Sequence, residues 1–103
     1  MQTLLQADTN KVTLKITGAL TFKDNKEWRN TVLEFLDADG TNHVLDMTNL
    51  EDIDSAGLGM MLAMQKWAKD RSRNLKLDFD PENTVGGILR LSRFDDMFGT
   101  IGT

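Results

Sequence analysis

The sequence predicts an α/β fold: a mixed sheet of four or five strands, with an antiparallel hairpin at one edge and helices interleaved between the parallel strands. Three observations predict it. Short apolar or alternating runs recur along the chain, around Val12–Ile16, His43–Met47 and Leu75–Phe79. Stretches with helical spacing separate them, and strand–helix alternation of this kind implies parallel strands joined by right-handed crossovers. Finally, 103 residues of which 40% are hydrophobic suffice for one domain, 1–103, around one core.

Taken in order, Leu4, Leu5 and Ala7 make a short strand. Asp8-Thr9-Asn10-Lys11 reads as a turn, because Asp and Asn side chains bond nearby backbone. Val12, Leu14 and Ile16 alternate with Thr13, Lys15 and Thr17, the pattern of a half-buried strand, and the two strands form the hairpin. Gly18-Ala19-Leu20-Thr21-Phe22 reads as a loop with apolar anchors. Asp24 or Asn25 caps the first helix, where Trp28, Val32, Phe35 and Leu36 recur at helical spacing, and Asp39-Gly40 ends it. Trp28 is expected in the core. His43 to Met47 suits the middle of a sheet, with His43 expected at a strand edge and without a chemical role. A loop follows, then a helix from Ser55 to about Arg71. Leu75, Leu77 and Phe79 form the next strand, which Asp80-Pro81 breaks. Asn83 or Thr84 caps a third helix carrying Val85, Ile88, Leu89 and Leu91. Gly86-Gly87 in its first turns costs about 2 kcal/mol of helix propensity, so this helix is expected to start late or fray. Phe94, Met97 and Phe98 are expected to pack back onto the core.

Composition excludes several classes of function. Without cysteine there are no disulfides or thiolate metal sites. With His43 the single histidine, a histidine-based metal cluster is implausible. A formal charge of -4 argues against nucleic acid or an anionic membrane as partner. No apolar run reaches the ~18 residues of a membrane span, and the N-terminus lacks a signal-peptide pattern. Cytoplasmic residence is therefore expected.

The stretch Asp52-Ile53-Asp54-Ser55-Ala56-Gly57-Leu58-Gly59 lies between a strand signal and a long helix. Ser55 stands at the helix start, where free N–H groups welcome a capping oxygen or an anion. Its hydroxyl can be a plain cap or a phosphate acceptor. A hydrolase elbow, Gly-x-Ser-x-Gly, is rejected: Ile53 occupies the first glycine position, and the histidine precedes the serine rather than following it. A calcium loop fails too, because Ala56 and Ala63 fall where oxygen donors are required. Asp46, Asp52 and Asp54 are read as loop and cap residues rather than a magnesium site. The glycines lack the Lys-Ser or Lys-Thr pair of a Walker loop. No cofactor, no metal and no catalytic residue are expected.

The run from Asp46 to Gly59, with its Asp-Ser-x-Gly-Leu core at Asp54 to Leu58, resembles the signature of STAS domains, particularly bacterial anti-sigma factor antagonists. Gly18-Ala19-Leu20-Thr21-Phe22 before a helix resembles their upstream segment, so the resemblance covers nearly the whole chain. Ala56 stands where many members carry a second serine. The resemblance implies a STAS-type fold and a protein-binding module, not an enzyme. It implies that Ser55 is phosphorylated by a partner anti-sigma factor that is a serine kinase, and dephosphorylated by a serine phosphatase. The unphosphorylated form would bind the anti-sigma factor and so regulate transcription. Some members are instead constitutive subunits of other assemblies, such as lipid-transport ABC systems, without a switch.

The helix after Ser55 presents Leu58, Met61, Leu62 and Gln65 on one face and Met60, Met64 and Trp67 on nearly the opposite one. One face covers the sheet. The other meets either a partner or the Trp28 helix. The expected partner surface comprises Asp24, Asp54, Ser55, Ala56, Gly57, Leu58, Met60, Met64 and Trp67.

Overall fold

The alternation at the start of the chain is a true two-faced strand: Val12, Leu14 and Ile16 are fully buried, while Thr13, Lys15 and Thr17 are half-buried. The structure, a computed structural model, describes residues 1–101. The strands are β1 (Gln2–Ala7), β2 (Lys11–Leu20), β3 (Asn42–Asp46), β4 (Leu50–Ile53), β5 (Asn74–Asp78) and β6 (Gly99–Ile101). The helices are α1 (Asn25–Asp37), α2 (Ser55–Asp70), α3 (Thr84–Leu91) and the single turn α4 (Phe94–Met97), with a 3-10 turn at Phe22–Asp24 ahead of α1.

The main path of the sheet runs β1-β2-β3-β5-β6, antiparallel in the β1–β2 hairpin and parallel elsewhere. This is the mixed sheet with an edge hairpin that the sequence predicts. It gains two short strands the sequence reading did not include. β4 pairs in parallel with the end of β2, Gly18 to Leu20, past the stretch that holds β3. Thus Gly18–Leu20 is strand, not loop. The register skips Glu51 between Gly18–Leu50 and Ala19–Asp52, and Gly18 takes φ +81 at this irregularity, a conformation glycine adopts without a Cβ clash.

One face of the sheet carries Val12, Leu14, Ile16, Leu45 and Leu77. These join Trp28, Val32, Phe35 and Leu36 of α1, Met60, Met61, Met64 and Ala68 of α2, and Val85 and Leu89 of α3 in one core. The opposite face carries Thr13, Lys15, Asp46, Lys76 and Asp78, all half-buried. Val44 lies among them, 2% exposed yet outside the core cluster, flanked in register by Thr13 and Lys76. The molecule is therefore two layers, with the helices gathered on one face. No helix among the described residues is long and apolar enough to cross a membrane.

Three expectations need correction. His43 is not at a strand edge: β3 lies between β2 and β5, and the ring is fully buried. Its Nε2–H donates to the Ala38 carbonyl at 3.0 Å, and it meets Phe35 edge-on at 5.3 Å. The third helix neither starts late nor frays at its start. Asn83 caps it by accepting from Gly86 N–H at 2.8 Å, and a Cβ on Gly86 would lie 1.8 Å from the Asp80 carbonyl oxygen. That glycine is required by close approach, which outweighs its propensity cost. Phe94 and Phe98 do pack on the core, whereas the Met97 side chain is 45% exposed; the Met97 carbonyl accepts from the Gln65 amide.

Candidate functional site

The turn from β4 into α2 is held by Asp54. This residue, not Ser55, is the N-cap: its Oδ1 accepts from Gly57 N–H at 2.7 Å, and its Oδ2 accepts from Phe22 N–H at 3.3 Å. Its own N–H donates to the Leu20 carbonyl at 3.2 Å. One carboxylate thus fastens the first turn of α2 to the end of β2. Gly57 completes the joint, since a Cβ there would lie 2.4 Å from Leu20 O and 2.7 Å from Ile53 Cγ1. Glycine is the residue that lets the helix approach so closely.

Because Asp54 caps, Ser55 is free. It is the first residue of α2 and exposed, and among the described residues its hydroxyl has no hydrogen-bond partner. The plain-cap reading of Ser55 is thereby corrected: that task falls one residue earlier. The hydroxyl stands in solvent over the positive end of a helix, with the exposed Asp52 two residues before the cap.

Asp24 organises the neighbouring rim. Its Oδ2 accepts from Thr21 N–H at 2.9 Å, and Met1 N lies 3.4 Å from Oδ1. The Thr21 amide bond, more than any other contact, holds the Asp24 carboxyl below its usual pKa, and the nearby amine adds to this. The turn so fixed projects Phe22, 67% exposed, beside the start of α2. Phe22, Asn25, Ala56, Gly59, Met60 and Ala63 line an open hollow of about 330 Å³.

The buried stripe of α2 is Gly57, Met60, Met61, Met64 and Ala68. It lies between the two faces read from the sequence, so neither of them is the core face alone. Met64 is fully buried and Met60 is 8% exposed, which removes Met64 from the partner surface and leaves Met60 only as the floor of the hollow. The Trp28 indole N–H donates to the Met60 carbonyl at 3.0 Å, so α2 meets the Trp28 helix here, as the second of the two readings had it. Trp67 is half-buried against the core. The outward stripe of α2 is instead Ser55, Gly59, Leu62 and Lys66, all exposed, with Leu58 half-buried at its margin. Phe22, Gly59 and Leu62 were missed as candidates. In the sequence Phe22 looks like a loop anchor, and only the folded turn shows that it points outward.

Among the described residues no three acidic or histidine side chains come together as a metal-holding group. Asp46 accepts from Thr48 N–H and Oγ1–H at 3.0 and 2.7 Å, and Asp52 from Ile53 N–H at 2.9 Å. With Asp54 they are turn-forming residues.

Comparison with known proteins places this arrangement. The family profile described as "Mlab, STAS domain" matches residues 3–100. A STAS-domain containing protein of Pseudomonas aeruginosa (strain UCBPP-PA14) is 29% identical over 96 residues, covering 92% of each chain. Among solved structures, a Thermotoga maritima protein with a proposed role as an anti-sigma factor antagonist superposes with a TM-score of 0.81 at 20% identity, over 98% of this chain and 86% of that one. The anti-sigma factor antagonist SpoIIAA matches in both its unphosphorylated form (TM-score 0.69, 15% identity, 99% and 89% coverage) and its phosphorylated form (TM-score 0.68, 16% identity, 98% and 92% coverage). At these identities the structural likeness shows a shared fold.

Proposed function

The chain belongs to the STAS-domain family, and on that premise we propose that it is an anti-sigma factor antagonist acting in the cytoplasm, a protein-binding module switched by phosphorylation of Ser55. In its unphosphorylated form it binds an anti-sigma factor that is also a serine kinase. A serine phosphatase resets it. The observation that carries this reading is the free hydroxyl: Asp54 caps α2, so Ser55 stands exposed and unengaged at the helix start. The partner surface is the rim around it, comprising Asp24, Asp54, Ser55, Ala56, Leu58 and Met60 from the sequence reading, with Phe22, Gly59 and Leu62 added; of the other expected residues, Gly57 and Met64 are buried and Trp67 packs against the core. A catalytic role is not part of the proposal, since His43 is buried in the core and cannot serve Ser55 as a base.

Phosphorylation adds about 1.5–2 negative charges. The helix N-terminus favours such a group by about 0.3–1 kcal/mol, while Asp52 and Asp54 oppose it. These effects roughly cancel within the domain, so the fold survives the modification. A partner that docks over a neutral hydroxyl must instead desolvate a dianion, and an unpaired buried charge costs several kcal/mol. Binding to the partner protein that copurifies with the intact chain from cells should fall at least ~10-fold, which needs only ~1.4 kcal/mol. Ser55→Ala should bind but ignore the kinase, and Ser55→Asp should bind poorly while its circular dichroism stays native. The reading is falsified if Ser55→Asp and phosphorylated protein bind as tightly as the unmodified domain.

A further inference from the structure

The outer side of β1 is an unusual edge. Six residues long, Gln2-Thr3-Leu4-Leu5-Gln6-Ala7, it carries no charge in a chain that is 27% charged, and contains no proline. Among the described residues no strand pairs with its outer side, and its ladder to β2 runs in unbroken register. Sheet edges in monomeric proteins are ordinarily blunted by lysine, proline, a bulge or a cover, because a bare row of N–H and C=O groups is a template for another strand. None of these devices is present here.

The ladder fixes which groups face outward. Asp8 N–H donates to the Lys11 carbonyl at 2.8 Å, which makes that facing pair hydrogen-bonded. Bonded pairs alternate along an antiparallel ladder, so Gln6–Thr13, Leu4–Lys15 and Gln2–Thr17 are the bonded pairs of the register. The N–H and C=O groups of Thr3, Leu5 and Ala7 are left pointing away from β2. A two-fold axis perpendicular to the sheet pairs residues of equal parity, and centring it on Leu5 sets Leu5 against its copy and Thr3 against Ala7 of the second chain. All six outward groups of each strand are then satisfied. Leu4, 53% exposed, comes to lie against Gln6 of the other copy.

We propose that β1 is a self-association edge, pairing antiparallel with β1 of a second copy of this chain to make one continuous sheet. The occupant is a second copy because the donor and acceptor pattern is complementary to itself, no charged side chain within the strand opposes the approach, and the two-fold contact closes. Pairing β1 with the three-residue β6 of another copy would satisfy fewer groups and would not close. The contact is small beside the ~1,200–2,000 Å² of a standard interface, so association is weak.

The test is sedimentation of the full chain across concentration. The 11.6 kDa chain should pass from monomer to dimer, with a midpoint in the range of ~0.1–1 mM. Thr3→Pro removes an outward N–H and leaves the β2 ladder intact, as proline is tolerated there; it should sediment as a monomer with an unchanged melting profile. Should that variant not fold, the pair Thr3→Lys with Ala7→Lys decides, since it sets like charges opposite each other across the axis. It should be monomeric alone, and form a dimer when mixed with the variant bearing Thr3→Glu and Ala7→Glu. A single monomeric species at ~1 mM, or a dimer indifferent to the charge variants, overturns the proposal.

Discussion

Gly57 and Gly59 lie two residues apart in α2 and obey opposite constraints. Gly57 is wedged against Leu20 O and Ile53, whereas a Cβ on Gly59 would meet no atom within 4 Å. Gly57→Ala should therefore destabilise by about 1–3 kcal/mol through overpacking, and Gly59→Ala should stabilise by up to about 1 kcal/mol through helix propensity. Urea denaturation of the two variants reads both signs. At this scale the sequence was informative. In the folded chain the Asp-Ser-x-Gly-Leu run supplies a cap, a free hydroxyl and a close approach, and each needs a particular residue. What it did not encode was which oxygen caps: Asp54 and Ser55 are both good N-caps, and only the bonds from Phe22 and Gly57 to Asp54 decide. His43 escaped for a related reason. A lone polar residue at a strand end reads as an edge, and its burial depends on β5 arriving on its far side.

At the scale of elements, α2 illustrates what periodicity can and cannot supply. Methionine, leucine and tryptophan occur nearly all round the helix, so no stripe stood out. The stripe Met60, Met61, Met64 and Ala68 is fixed by where Trp28 and the sheet sit. Met64→Ala should cost about 2–5 kcal/mol of folding stability. Leu62→Ala, on the exposed side, should change stability by no more than about 0.5 kcal/mol while weakening capture of the copurified partner. A denaturation curve beside a pull-down separates the two. β4 was illegible because only Leu50 and Ile53 are buried, and the exposed Glu51 and Asp52 between them look like loop. Two of its residues pair with β2 only through the irregularity that Gly18 permits. The Gly86-Gly87 pair misled in the other direction, since propensity was counted and the approach to Asp80 was not visible.

The whole molecule is layered one-sidedly, and the near-neutral part of its acid response comes from the buried side. Desolvation depresses the pKa of His43, with Arg73 nearby adding to it and the bond to the Ala38 carbonyl opposing it. A depressed histidine contributes its full stability above pH 6.5, where the unfolded chain's imidazole titrates. Below that pH the unfolded state takes up a proton that the folded state resists. Stability falls by up to ~1.4 kcal/mol per pH unit until the buried ring itself titrates. Urea midpoints at about pH 7.5 and 5.5 should therefore differ for the native chain, and His43→Leu should flatten the difference. The carboxylates act lower on the scale. Asp24, held below 3.8 chiefly by the Thr21 amide, also loses stability on acidification. Asp78, raised above 3.8 by burial and by Asp46, regains it.

The unengaged hydroxyl of Ser55 has a consequence for how a signal would be stored. Among the described residues no bond holds that oxygen, and the helix N-terminus and the neighbouring carboxylates would roughly offset each other, so the domain would exert little preference of its own between its two forms. Their ratio would then report only the balance of the enzyme that writes and the enzyme that erases. Such a protein would be a passive register, whose reading follows the two opposed activities and fades once writing stops while erasing continues.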